Sequence, residues 1–81
     1  MSSAAAAHIG SRISAQRLAL GLTQDEVAVR TMIDSSNVRA YEHGRAMPSI
    51  FTLVRIAKAL ETSPGMFLEG LEPENFVPIN R

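Results

Sequence analysis

The stretch TQDEVAVRTMIDSSNVRAYEHG, Thr23 to Gly44, decides how the chain folds. Thr23 offers a capping hydroxyl, and Glu26 three residues on can return a bond to the Thr23 amide, the reciprocal pairing that opens a helix. The spacing predicts helix two over 24–31, with Val27 and Ala28 facing inward. Asp34 is the next strong N-cap and heads helix three over 35–42, which Gly44 ends by supplying a left-handed position. Only Met32 and Ile33 separate this pair before the second cap, so the chain must turn sharply instead of forming a long antiparallel hairpin. At about 100° per residue, helix three turns Val38 and Tyr41 inward. Ser35, Ser36, Arg39 and Ala40 then point outward, with Asn37 at the flank.

Outward from this pair, Ile9, Ile13, Gln16 or Arg17, and Leu20 recur at helical spacing and Gly21 follows as a stop, which gives helix one over 9–20. Past Met47-Pro48, Ser49 caps helix four, whose buried stripe is Ile50, Leu53, Ile56, Ala57 and Leu60. Ser63 caps and Pro64 opens a short helix five reaching Glu69. No window alternates with the period of a strand and no segment repeats. The expected architecture is all-α: five short helices in one body over 9–70, a loose arm over 1–8 and a tail over 71–81.

Eighty-one residues suffice for one domain and leave no room for a second sensing or catalytic one. With 46% hydrophobic and 20% charged residues the composition is that of an ordinary soluble protein. The absence of cysteine excludes disulfides and thiolate metal sites and is compatible with a reducing cytosol. No apolar run approaches the roughly 18 residues of a membrane span, and the N-terminus lacks the pattern of a signal peptide. A cytoplasmic protein is expected. Formal net charge is zero but uneven: residues 1–60 carry seven Arg and Lys against four acids, while 61–81 carry Arg81 against four glutamates.

Helix three spends its outward side on short or hydrogen-bonding side chains. Nothing bulky blocks its approach to a major groove, and its donors can reach base edges. The same pattern also suits an ordinary solvated helix, and its flanks tilt the balance. Gln24 stands in the first turn of helix two, where free amides and the positive dipole end would meet a phosphate. His43 and Arg45 follow helix three and can clasp the backbone on the other side. Such an arrangement fixes register through phosphates while one helix reads sequence.

Taken together, the marks R..LGLTQ.E.A at 17–28, I....V..YE.G at 33–44 and P....L..IAKAL..S at 48–63 resemble the phage-repressor and Cro-type helix-turn-helix family over residues 9–68. The resemblance implies a lambda-repressor-like five-helix fold that binds operator DNA, commonly as a homodimer. It places base reading on Ser35, Ser36, Asn37, Arg39 and Ala40, and phosphate contacts on Thr23, Gln24, His43 and Arg45. It also implies a structural ion pair between Arg17 and Glu42, which suits the inward edge that Glu42 occupies on its helix. Met32 stands where the family usually has glycine, which forces an altered turn. Short serines at reading positions make Arg39 the best candidate for a specific guanine contact, with DNA shape contributing.

Helices four and five and the tail carry more apolar residues than one core requires. Phe51, Met66, Phe67, Leu71, Phe76 and Val77, with Ile79 beyond them, are therefore expected to form a two-fold dimer interface. Alternatively the tail folds back over its own domain. Catalysis is not expected, since no nucleophile motif, metal-binding spacing or phosphate-cradling glycine loop occurs. No metal, cofactor or small-molecule ligand is expected either. The reading is a small dimeric repressor or controller-type regulator on a pseudo-palindromic operator. The rival is a protein-interaction module, such as an antitoxin, that uses the helix-five surface and acidic tail.

Overall fold

Short polar caps punctuate the chain into helices, and the computed structural model, which describes residues 3–78, places them as α1 (Ala4–Ala19), α2 (Gln24–Thr31), α3 (Ser35–Glu42), α4 (Ile50–Ala59) and α5 (Pro64–Leu68). A single 3-10 turn, Pro73–Phe76, follows. The reciprocal cap of α2 is present in full: the Glu26 amide donates to Thr23 Oγ1 at 3.0 Å and the Thr23 amide donates to Glu26 Oε1 at 2.8 Å. Those bonds to Thr23 hold the Glu26 carboxyl below its usual range. Asp34 Oδ1 accepts from the Ser36 amide at 2.9 Å at the head of α3, and Ser49 Oγ accepts from the Thr52 amide at 3.1 Å at the head of α4. Ser63, expected to cap α5, makes no capping bond; Pro64 alone sets that first turn.

Helix α1 opens at Ala4 rather than at Ile9, so residues 3–8 of the expected loose arm are ordered and Met1 and Ser2 lie outside the described residues. The cause is local. Ser3 Oγ accepts from the Ala6 amide at 3.1 Å, and the four alanines that follow are the strongest helix formers available. A run of identical small residues has no periodicity to betray it, yet Ala5 and Ala6 are buried.

The core gathers Ile9 and Ile13 of α1, Val27 of α2, Val38 of α3, Leu53, Ile56 and Ala57 of α4, Leu60, and Phe67 of α5. Ile50, expected in the buried stripe of α4, is instead exposed at the first position of that helix. Helix α1 packs against both α3 and α5, and α2 packs against α3 and α4. Polar side chains of α1 close the ends of its neighbours: Gln16 Nε2 donates to the Leu60 carbonyl at 2.9 Å and Arg12 Nη1 to the Met66 carbonyl at 3.3 Å. Across the molecule the Arg55 guanidinium donates to the Thr31 carbonyl at the end of α2 and lies over the Phe51 ring.

Two expectations about the dimer surface change here. Phe67 is 0% exposed, so it belongs to the domain's own core and cannot meet a partner; Met66 and Leu71 are half-buried against that core. The tail folds in cis, with its 3-10 turn against α1 and a backbone bridge between Ser3 and Pro78. Phe76 and Val77 nevertheless stay exposed, at 48% and 63%, and Ile79 lies outside the described residues.

Candidate nucleic-acid interface

The turn before α3 sets how that helix is presented. Met32 adopts φ +59°, the left-handed conformation that glycine accepts without cost, and its side chain is left 85% exposed. The expected alteration at this position is therefore a strained but otherwise regular left-handed cap on α2. Val38 anchors the inner side of α3 and Tyr41 packs at the core's edge. Ser36, Asn37 and Arg39 are exposed on the outer side, while Ser35 and Ala40 are half-buried beside them.

The far end of α3 is fixed by an ion pair. Arg17 Nε donates to Glu42 Oε2 at 2.7 Å and Nη2 to Oε1 at 3.0 Å, with the two side chains only 12% and 4% exposed. Arg17 Nη1 spends a further donor on the Leu22 carbonyl at 2.9 Å. This planar two-point pairing, with the third guanidinium nitrogen also bonded, is the arrangement a buried charge needs. Gln24 completes it: Nε2 donates to Glu42 Oε1 at 3.0 Å. The side-chain amide of Gln24 is thus committed to the interior, and what α2 leaves for a phosphate at this point is the backbone amides of its first turn.

The small hydroxyls of α3 have also been assigned by their neighbours. Ser36 Oγ donates to Asp34 Oδ1 at 2.7 Å, so its proton is used by the cap and its oxygen remains as an acceptor. The two bonds from Ser36, with a smaller contribution from the Arg39 charge, keep the Asp34 carboxyl below its usual range. Ser35 Oγ accepts from Arg39 Nη2 at 3.3 Å and keeps its own proton to donate. In major-groove chemistry the first hydroxyl suits an exocyclic amino group, and the second suits a purine N7 or a carbonyl oxygen.

On the flanks, Thr23 is exposed and retains its hydroxyl proton, since its oxygen only accepts within the cap. His43 is exposed, and its Nδ1 lies 2.8 Å from the Arg39 carbonyl, which leaves Nε2 as the outward nitrogen. Arg45 is exposed and, among the described residues, makes no ion pair. One neighbour escapes any reading of the sequence: Asp25, on the first turn of α2, lies 3.6 Å from Arg39 Nη1. That contact depends on the angle at which α2 and α3 cross, which no spacing along the chain reports.

A family model described as helix-turn-helix matches residues 13–67. Among curated proteins, the chain is 38% identical over 66 residues to an uncharacterized transcriptional regulator in the ATPase CF(0) region of Rhodospirillum rubrum, a match covering 82% of this chain and 61% of that one. It is 38% identical over 55 residues to the cryptic phage CTXphi transcriptional repressor RstR of Vibrio cholerae, covering 68% of this chain and 49% of the other. The chain thus spans about half to three-fifths of the length of these relatives. Among solved structures, the restriction-modification controller protein C.AhdI of Aeromonas hydrophila superposes with a TM-score of 0.74 at 29% identity, over 76% of this chain and 94% of that one.

Proposed function

The chain belongs to this helix-turn-helix family, and from that premise we propose that it is a transcriptional regulator that binds double-stranded operator DNA, with α3 lying in the major groove. One observation carries the reading: the outer side of α3 is an unobstructed row of short polar side chains and one arginine, flanked by Thr23 and the α2 amides on one side and by His43 and Arg45 on the other. In this arrangement Arg39 reads, with Ser35, Ser36, Asn37 and Ala40 shaping the contact, and the flanking groups hold the phosphates.

Selection of bound sites from random duplexes tests the reading, and two substitutions resolve it. Arg39→Ala relaxes preference at one base pair by about 1–3 kcal/mol. Arg45→Ala weakens all sequences alike and lowers the slope of log affinity against log salt by about one. Wild-type binding by both variants overturns the assignment of the site.

The regulator acts as a homodimer in this reading. Ile50, Phe51 and Val54 form an exposed apolar side of α4, and Leu68, Phe76 and Val77 add exposed apolar side chains from α5 and the tail. Association covers such surface and sets two α3 helices about 34 Å apart on a pseudo-palindromic site. A dimeric mass in solution at micromolar concentration is the expected result; a strict monomer, with and without DNA, ends the dimer model. Output then follows the regulator's own concentration through dimerisation and operator occupancy.

A further inference from the structure

We propose that Asp25 is a positioning residue for sequence reading, holding the Arg39 guanidinium in place over the start of α3 while repelling DNA that offers no partner for it. This rests on the reading of α3 as the groove helix. Arginine carries a long side chain with many rotamers, and a base contact gains selectivity when its planar fork is oriented beforehand. Arg39 is tethered at both terminal nitrogens: Nη1 lies 3.6 Å from Asp25 Oδ1, and Nη2 donates to Ser35 Oγ at 3.3 Å. The two partners stand on different helices, α2 and α3, so they bias the group along two directions. They also draw it toward the N-terminal end of α3, the end that meets base edges in this docking mode.

The carboxylate has a second effect. Asp25 stands in the first turn of α2, beside the amides proposed to hold a phosphate, and it is exposed there, so its charge weakens that contact without abolishing it. On any duplex the exposed Asp25 carboxylate costs some affinity for the phosphates near it, and on non-cognate DNA no guanine contact offsets that cost. On cognate DNA, the guanidinium stays between the carboxylate and the base. One residue thereby strengthens the right contact and penalises the wrong ones. A surface ion pair of this length contributes little to folding, so an effect on discrimination is separable from one on stability.

The test compares wild type, Asp25→Asn, Asp25→Glu, Arg39→Ala and the Asp25→Asn/Arg39→Ala double variant on a selected site and on the same site with its guanine replaced. Asp25→Asn is expected to melt as wild type, to bind random duplex more tightly, and to lose roughly threefold to tenfold in discrimination, part of the loss seen in Arg39→Ala. Asp25→Glu restores most of that discrimination. In the Arg39→Ala background, Asp25→Asn leaves the ratio unchanged, because the group it positions is gone. If Arg39→Ala relaxes preference while Asp25→Asn keeps the wild-type ratio, the positioning role is overturned and the reading of α3 stands. If Arg39→Ala itself keeps the wild-type ratio, the reading of α3 fails and this role fails with it.

Discussion

Glu42→Ala is expected to cost about 3–5 kcal/mol and to lower the melting temperature by more than about 10 °C. The cost follows from what is left behind. Arg17 would keep a guanidinium only 12% exposed, with the Leu22 carbonyl as its sole remaining partner, and Gln24 would lose the acceptor for its side-chain amide. Removing one member of a buried pair leaves the other uncompensated, whereas replacing both by apolar groups of similar shape is often neutral. Arg17→Met combined with Glu42→Leu should therefore melt closer to wild type than Glu42→Ala does. For a domain of this size, with stability near the low end of the usual range of about 5–15 kcal/mol, the single change approaches complete unfolding. An unchanged melting temperature in thermal denaturation followed by circular dichroism would reject the structural role of the pair.

Gly10→Ala is expected to destabilise as well, against the local tendency of its helix. In the middle of α1, alanine is favoured over glycine by about 1 kcal/mol. At this position, however, a Cβ would stand 2.8 Å from the Glu42 carbonyl oxygen and closer still to that of Tyr41. Both are backbone atoms of the last turn of α3, which cannot swing aside as a side chain would. Overpacking of this kind costs about 1–3 kcal/mol and here must push α1 and α3 apart. The strain therefore outweighs the propensity gain, and DNA affinity should fall with stability because the displaced element is the helix proposed to enter the groove. Gly65→Ala is the control: nothing lies within 4 Å of its added Cβ, and its melting temperature should not drop. A Gly10→Ala protein that melts higher than wild type would show that the two helices do not meet as closely as described.

The helix pair at the centre of the fold was legible because its boundaries rest on single residues with strong local chemistry. Thr23 with Glu26, Asp34 and Gly44 act within a few bonds of themselves, and α2 and α3 begin and end where those residues say. That the turn at Met32 is strained followed from the glycine usual there in the resembled family; its left-handed form is seen only in the structure. The start of α1 was not legible, since an alanine run supports a helix without marking a face. Phe67 was misassigned because two adjacent apolar residues, Met66 and Phe67, do not reveal which one points inward when the helix has barely more than one turn. At the interface, the residue types of α3 could be read but not their commitments. The Ser36 proton is taken by Asp34, the Gln24 amide by Glu42, and Arg39 leans on Asp25. The last two cross between helices and depend on packing angles.

The exposed methionine in the turn between α2 and α3 leaves the chain an unused reserve of thermostability. Its left-handed backbone costs about 1 kcal/mol or more, and an 85% exposed side chain makes no packing that would offset it. Glycine at that position would relieve the strain and forgo only part of the gain through a freer unfolded chain. Selection or design could thus harden this protein against heat at a residue outside the row proposed for base reading, which lets robustness and the proposed specificity drift independently.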